Sequence, residues 1–297
     1  MTQSGEYAAV HAAADSGEKR IYFEDEYCAV LYKKAGEDSQ TFFKRLFPQK
    51  QFAAALNRLD TPVSGLMIAA FSPQIQTQFS RAFEAGAIRK AYWAICERAG
   101  AGKSAQCAAD VSPAVAEYTP MSAAAVGASG IAPSAFAPED AAVRTAGAAV
   151  GGTLEHWIGF STKTQKAFIA AASNDRSSKA RLKRAVLTWT LCGSGERYDF
   201  LRIQPHTGRT HQIRVQMAAI GRPIKGDLKY GARRSEPGGG IRLHSFSVDF
   251  THPITGMPLH IEAPPLQPDT LWSLCIKACA DSSSFEQPSA LHRGTAE

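Results

Sequence analysis

Apolar residues along this chain keep two spacings. Runs of strand length, alternating or wholly apolar, occur at LMIAAF (66–71), IRKAYWAI (88–95), LEHWIGF (154–160), AVLTWTL (185–191), RYDFLRIQ (197–204) and HSFSVDF (244–250). Each predicts a strand. A helical spacing appears at 72–86, where Ile75, Phe79 and Phe83 share a face. Ser72 is placed to cap that helix, Pro73 suits its first turn and Gly86 ends it. A second helical pattern covers 207–221, with Thr207 as the expected cap, Ile213, Met217 and Ile220 on one face, and Gly221 closing it before Pro223. Many strands with few intervening helices predict an α+β protein around a largely antiparallel sheet.

The pattern fails between 99 and 152, where Ala, Gly, Ser and Pro dominate and large apolar residues are few. Such a stretch cannot bury enough surface to offset its ordering entropy, so it reads as an irregular insertion within one domain. Residues 1–19 form an expected loose tail. The catalytic domain is expected over 20–266, with a C-terminal helix or tail over 267–297. At 297 residues and 44% hydrophobic the chain can bury a sizeable core.

The net charge of +6 is modest, but its distribution is uneven. From Arg176 to Arg234 basic residues far outnumber the acids Glu196, Asp199 and Asp227, a footprint expected of a phosphate-backbone binder. The six cysteines form no CxxC pair and read as reduced, buried thiols. The first residues lack a basic head and apolar core, and no apolar stretch approaches the roughly 20 residues of a membrane span. A cytoplasmic protein without membrane contact is expected.

Three clusters could carry chemistry. NRLDTPVSG (57–65) delivers Asp60, with Arg58 beside it, at the mouth of a buried strand. Tyr92 lies on the strand RKAYWAI. In PHTGRTHQIRVQMAAIGRPIKGDLKYG (205–231), Arg209, His211 and Arg214 crowd the first turns of a helix, where free N–H groups favour an anion. A metal site at His206, His211 and Asp227 is not expected, because the i, i+5 spacing of the histidines leaves one helical face. GDLKYG and HPITG read as loop-shaping segments.

RLDTPVSG, RKAYWAI, TGRTHQIRVQMAAIGRPIKGDLKYG and LHSFSVDFTHPITGMPLHIEAPP (243–265) resemble, in order, the motifs of the RluA-type family of RNA pseudouridine synthases. The resemblance spans about 20–98 and 153–266. It implies the pseudouridine synthase fold, a mixed and mainly antiparallel sheet with flanking helices and a cleft across its middle. It also implies isomerisation of uridine in ribosomal or transfer RNA, without cofactor or metal, by a monomer. Carried over residue by residue, Asp60 is the reacting carboxylate and Arg214 its ion-pair partner. Tyr92 stacks on the uracil and Arg58 helps expel the base and hold its phosphate. Ile213 forms an apolar wall, and Arg209 and His211 meet RNA phosphates. Attack by Asp60 on sugar or base and a route through a deprotonated sugar stay equally open. Asn57 and Gln216 replace usual histidines and Val63 a usual threonine, changes expected to tune rather than abolish activity. The S4-type domain of many relatives is expected to be absent. A silent RNA binder of this fold would lose Asp60, Tyr92 or Arg214, and all three are present. A nucleoside or glycoside hydrolase would need a pair of carboxylates, and one well-placed acid is found.

Overall fold

The computed structural model describes residues 20–98, 150–170 and 181–283. The expected tail over 1–19 and nearly all of the Ala-rich insertion lie outside the described residues. The insertion's last two residues, Gly151 and Gly152, already belong to a strand.

All predicted strands are present, most of them a few residues longer than their apolar cores. In chain order they are β4 (Ser64–Ala70), β5 (Arg89–Glu97), β6 (Gly151–Ser161), β8 (Lys183–Ser194), β9 (Tyr198–Pro205) and β10 (Leu243–Thr251). Five more complete the set: β1 (Ile21–Glu24), β2 (Cys28–Lys33), the two-residue β3 (Ala54–Ala55), β7 (Lys166–Ala170) and β11 (Pro258–Glu262). They form one sheet in the order β1-β2-β4-β10-β5-β9-β8-β6-β7, with β3 added to β4 and β11 to β10. Every pairing is antiparallel except β4 with β10, which run parallel over Ser64 and Gly65 against His244 and Ser245. The sheet is therefore mixed and mainly antiparallel.

Period-2 alternation divides the side chains between two covered faces. On one, Leu31, Met67, Tyr92, Ala94, Leu201, Ile203 and Leu187 pack with Phe42 and Phe43 of α1 (Ser39–Leu46) and with Ile213 and Met217 of α3 (Gln212–Ala219). On the other, Leu66 and Ile68 meet Ile75 and Phe79 of α2 (Pro73–Glu84). Further along that face Trp93, Ile95 and Phe200 meet Trp272 and Cys275 of α4 (Thr270–Ser283). Ser72 caps α2 through Ile75 N–H, as its sequence predicts. Cys28, Cys96, Cys192, Cys275 and Cys279 are buried thiols, while Cys107 lies outside the described residues.

The second predicted helix starts late. Thr207 does not cap it, because its hydroxyl bonds Gln212 Oε1 at 2.7 Å and accepts Val186 N–H at 2.9 Å. The helix begins at Gln212, preceded by His211 in a left-handed conformation. Thr207 and Gln212 thus tie the approach to α3 onto β8, and the last helix of the first face is fixed by side chains rather than by a cap.

One glycine controls how closely β4 and β10 approach. At Gly65, φ is +116°, and a Cβ there would lie 2.3 Å from the Ser245 carbonyl oxygen. The backbones of β4 and β10 come together only because that atom is missing. Gly65→Ala should therefore lower stability by about 2 kcal/mol or more. Urea denaturation tests this, and an unchanged midpoint would contradict the packing described.

Candidate active site

Asp60 sits on the segment leading into β4, and the main chain around it is fully tethered. The Leu59 carbonyl accepts Ser39 Oγ at 2.7 Å. The Asp60 carbonyl accepts Val63 N–H at 2.9 Å, closing a turn. The Thr61 carbonyl takes Gly36 N–H at 2.7 Å and Lys33 Nζ at 3.2 Å, and the Pro62 carbonyl takes Ile241 N–H at 3.0 Å. Donors from α1, β2 and the approach to β10, with Val63 of the turn itself, thereby occupy four successive carbonyls. Lys33 is wholly buried, and that burial pushes its ammonium down to about 8 against the opposing pull of Glu37 and Asp60. The Asp60 side chain is 24% exposed, held from below yet open to solvent.

Arg214 meets it from the first turn of α3. Its Nη1 donates to Asp60 Oδ2 at 3.0 Å. The other edge of the guanidinium forks onto Asp227, with Nε to Oδ2 at 2.7 Å and Nη2 to Oδ1 at 2.8 Å. Asp227 is 1% exposed and Arg214 5%, so two carboxylates share one buried cation. Hydrogen bonds and charge from Asp227, with Asp60 adding, raise the Arg214 pKa despite burial. The Tyr230 ring lies under the guanidinium at 5.0 Å. Asp227 and Tyr230 belong to GDLKYG, so that segment does more than shape a loop. An acid alone in a basic stretch was the signal available for Asp227.

Tyr92 is buried on β5, paired with Ser245 of β10 and Ile203 of β9. Burial pushes its phenol up to about 12; the Ser245 hydroxyl opposes that rise and the Asp60 charge adds to it. Ile213 packs in the same cluster as Tyr92, Leu59 and Val63. The sheet centre, the Asp60 turn and the start of α3 thus converge on one place.

That convergence accompanies a family match. Residues 24–219 fit the family model described as RNA pseudouridylate synthase. The chain belongs to that family. It is an RNA pseudouridine synthase, an isomerase acting on RNA. Among relatives, an uncharacterized RNA pseudouridine synthase of Zymomonas mobilis is 25% identical over 83% of this chain and 93% of its own length. RNA pseudouridine synthase 1 of rice is 27% identical over 89% and 76%. Ribosomal large subunit pseudouridine synthase C of Salmonella typhimurium is 46% identical over a shorter match, 23% of this chain and 25% of its own. The solved structure of human RNA pseudouridylate synthase domain containing 1 shares the fold, with a TM-score of 0.55 at 19% identity. That alignment covers 91% of this chain and 98% of the human one.

The remaining candidates in this synthase divide into two groups. Arg58 is exposed and Arg209 half-buried. Arg209 Nε donates to the Arg184 carbonyl at 2.9 Å, and Arg58 lies near Asp38, the cap of α1. His211 departs from its expected place on the RNA-facing surface: its side chain is 13% exposed, with Nε2 3.7 Å from Asp60 Oδ2. The positive stretch is also less positive than its sequence. Arg184 pairs with Glu155 at 2.5 Å, and Arg222, Lys225 and Arg233 pair with Asp199, Glu236 and Glu97. Glu155 and Glu97 come from elsewhere in the chain, which the sequence alone does not reveal.

The two departures from the usual histidines do structural duty. Asn57 Oδ1 accepts Ile68 N–H at 2.7 Å. Gln216 Nε2 lies 3.0 Å from His156 Nδ1 and 3.2 Å from the Leu154 carbonyl, tying α3 to β6. Asp25, Cys28 and His252 form a cluster dense enough to suggest a metal ion. Its chemistry opposes one: His252 Nδ1 accepts the N–H groups of Ile254 and Thr255 at 3.2 and 3.1 Å. The ring proton therefore sits on Nε2, 3.0 Å from Asp25 Oδ2, where a metal would need a lone pair.

Asp227→Ala should lower stability by about 3 kcal/mol, since a buried guanidinium keeps only its Asp60 bond. Denaturant unfolding checks this, and a loss below about 1 kcal/mol would mean that the fork onto Asp227 contributes little to the fold.

Proposed function

We propose that Asp60 is the carboxylate on which uridine isomerisation depends, with Arg214 and Tyr92 as its partners. The observation that carries this is the single hydrogen bond from a buried, doubly anchored guanidinium to a carboxylate on a rigid turn. Arg214 is fixed by Asp227 before it reaches Asp60, so the bond costs little side-chain ordering and gives the carboxylate a set direction. Attack or proton abstraction requires a carboxylate, and the guanidinium beside it supplies the complementary charge.

In the reaction the N1–C1′ bond breaks, the uracil turns, and C5 bonds to C1′. The C5 proton leaves and N1 gains one, so the product is an isomer. Tyr92, protonated at neutral pH, offers an aromatic face for the uracil and an O–H that can donate. Stacking of this kind contributes on the order of 1–3 kcal/mol, comparable with the few kcal/mol needed to extrude a stacked base. Ile213 closes the apolar side, while the exposed Arg58 and the half-buried Arg209 meet phosphates on either side of the extruded nucleotide. Ribosomal RNA is the substrate class proposed, on the strength of the large-subunit relatives, and the enzyme acts as a cytoplasmic monomer.

Asp60→Asn should abolish pseudouridine formation while RNA affinity stays within about 3-fold. Continued product formation by the variant would remove Asp60 from the chemistry. Chemical mapping of cellular RNA with and without the gene tests the substrate: a pseudouridine is expected to vanish from ribosomal RNA. Loss confined to transfer RNA would overturn the ribosomal assignment. Lys183 is exposed on β8 without an acidic partner of the Arg184–Glu155 kind among the described residues. Lys183→Ala should reduce the slope of log affinity against log salt by about 1, and an unchanged slope would place Lys183 outside the RNA contact.

A further inference from the structure

His211 combines a strained backbone with a fixed proton. Its φ of +54° and ψ of +22° lie in the left-handed region, where residues bearing a Cβ are uncommon and cluster at functional sites. The side chain makes no capping bond to α3, so helix initiation does not account for the strain. The conformation instead holds the imidazole between Phe160 and Tyr230, edge-on at 5.7 and 5.6 Å, with Nε2 toward Asp60.

Tyr230 settles which nitrogen carries the proton. Its hydroxyl oxygen accepts Ala167 N–H at 2.7 Å and lies 2.8 Å from His211 Nδ1. Among the described residues the phenolic proton has no other acceptor, so Nδ1 accepts it and the imidazole proton resides on Nε2. Asp60 and Asp227 favour a charged ring, whereas burial, Arg214 and Lys229 oppose it, and the pKa falls below the ordinary 6.5. At pH 7 the ring is neutral, with one N–H, and Asp60 Oδ2 is its carboxylate neighbour.

Arg214 Nη1 donates to that same oxygen. Among the described residues no donor is bonded to Oδ1. We propose that His211 is a positioning residue: with Arg214 it holds Oδ2 of Asp60, presenting Oδ1 as the oxygen that reacts with the uridine, and Tyr230 acts through it by fixing the tautomer. This rests on Asp60 being the reacting group. At 3.7 Å the contact exceeds a hydrogen bond, and an approach of under about 1 Å on substrate binding completes it.

The test compares single-turnover rates, KM and RNA Kd for the wild type, His211→Ala, His211→Gln, Tyr230→Phe and Asp60→Asn, each checked for cooperative unfolding. His211→Ala is expected to lose about 10-fold or more in rate with KM and Kd little changed. His211→Gln, whose amide N–H replaces Nε2–H, should recover most of the loss, and Tyr230→Phe should be slowed in the same direction. If His211→Ala fails to fold, the Gln and Phe variants decide: a near-normal Gln rate with a slowed Phe rate supports the proposal, and any other pairing overturns it. A wild-type rate in His211→Ala, with Asp60→Asn inactive, overturns the proposal alone. An active Asp60→Asn overturns both readings. A change confined to KM or Kd returns His211 to phosphate binding and also overturns it. In a structure with a uridine-containing RNA in the cleft, Oδ1 should lie nearest the reacting nucleotide, and Oδ2 in that place would contradict the assignment.

Discussion

One buried guanidinium shared by two carboxylates organises this protein's candidate site. Arg214 gives two of its hydrogen-bonding groups to Asp227 and one to Asp60. Asp227, almost wholly buried, requires the cation, and the cation in turn is aimed by it. A buried cation with a single carboxylate would clamp that carboxylate on both oxygens. Divided between two, it leaves the second oxygen of Asp60 unbound among the described residues. A planar fork with donors on two edges makes this division possible, and an ammonium ion has no equivalent geometry.

The rest of the fold holds the other end of that contact. The four carbonyls from Leu59 to Pro62 are all occupied, three by donors from elsewhere in the chain and that of Asp60 by Val63 of the same turn, so the turn bearing Asp60 has little freedom of its own. Gly65 then lets β4 join β10 at the parallel junction, and Tyr92 is paired to the same Ser245 that Gly65 approaches. Carboxylate, phenol and guanidinium therefore come from a clamped turn, a central strand and a helix start, and the sheet fixes their relation.

Much of this was legible in the sequence because it is local. The strands showed as alternation, α2 through its cap and proline, and the family through motifs arranged in order along the chain. What stayed hidden is non-local. The pairing of Arg214 with Asp227 joins a helix start to a loop 13 residues on, and nothing in GDLKYG alone distinguishes a loop former from a ligand for arginine. Thr207 has the character of a cap, but a nearby glutamine and a strand compete successfully for its hydroxyl. His211 looked like a surface residue in a basic stretch because the turn that swings it inward is a backbone conformation, not a residue type. The apparent charge of that stretch was overstated for the same reason, its neutralising partners Glu97 and Glu155 lying far away in sequence.

The central claim is that the forked geometry of Arg214, beyond its charge, makes Asp60 competent. The most direct measurement is the single-turnover rate of pseudouridine formation by Arg214→Lys, with RNA binding measured alongside. The lysine keeps the charge but cannot serve Asp227 on two oxygens and Asp60 at once. The account predicts a fall of about 100-fold or more in rate with RNA affinity retained. A lysine variant that isomerises uridine at the wild-type rate would contradict it.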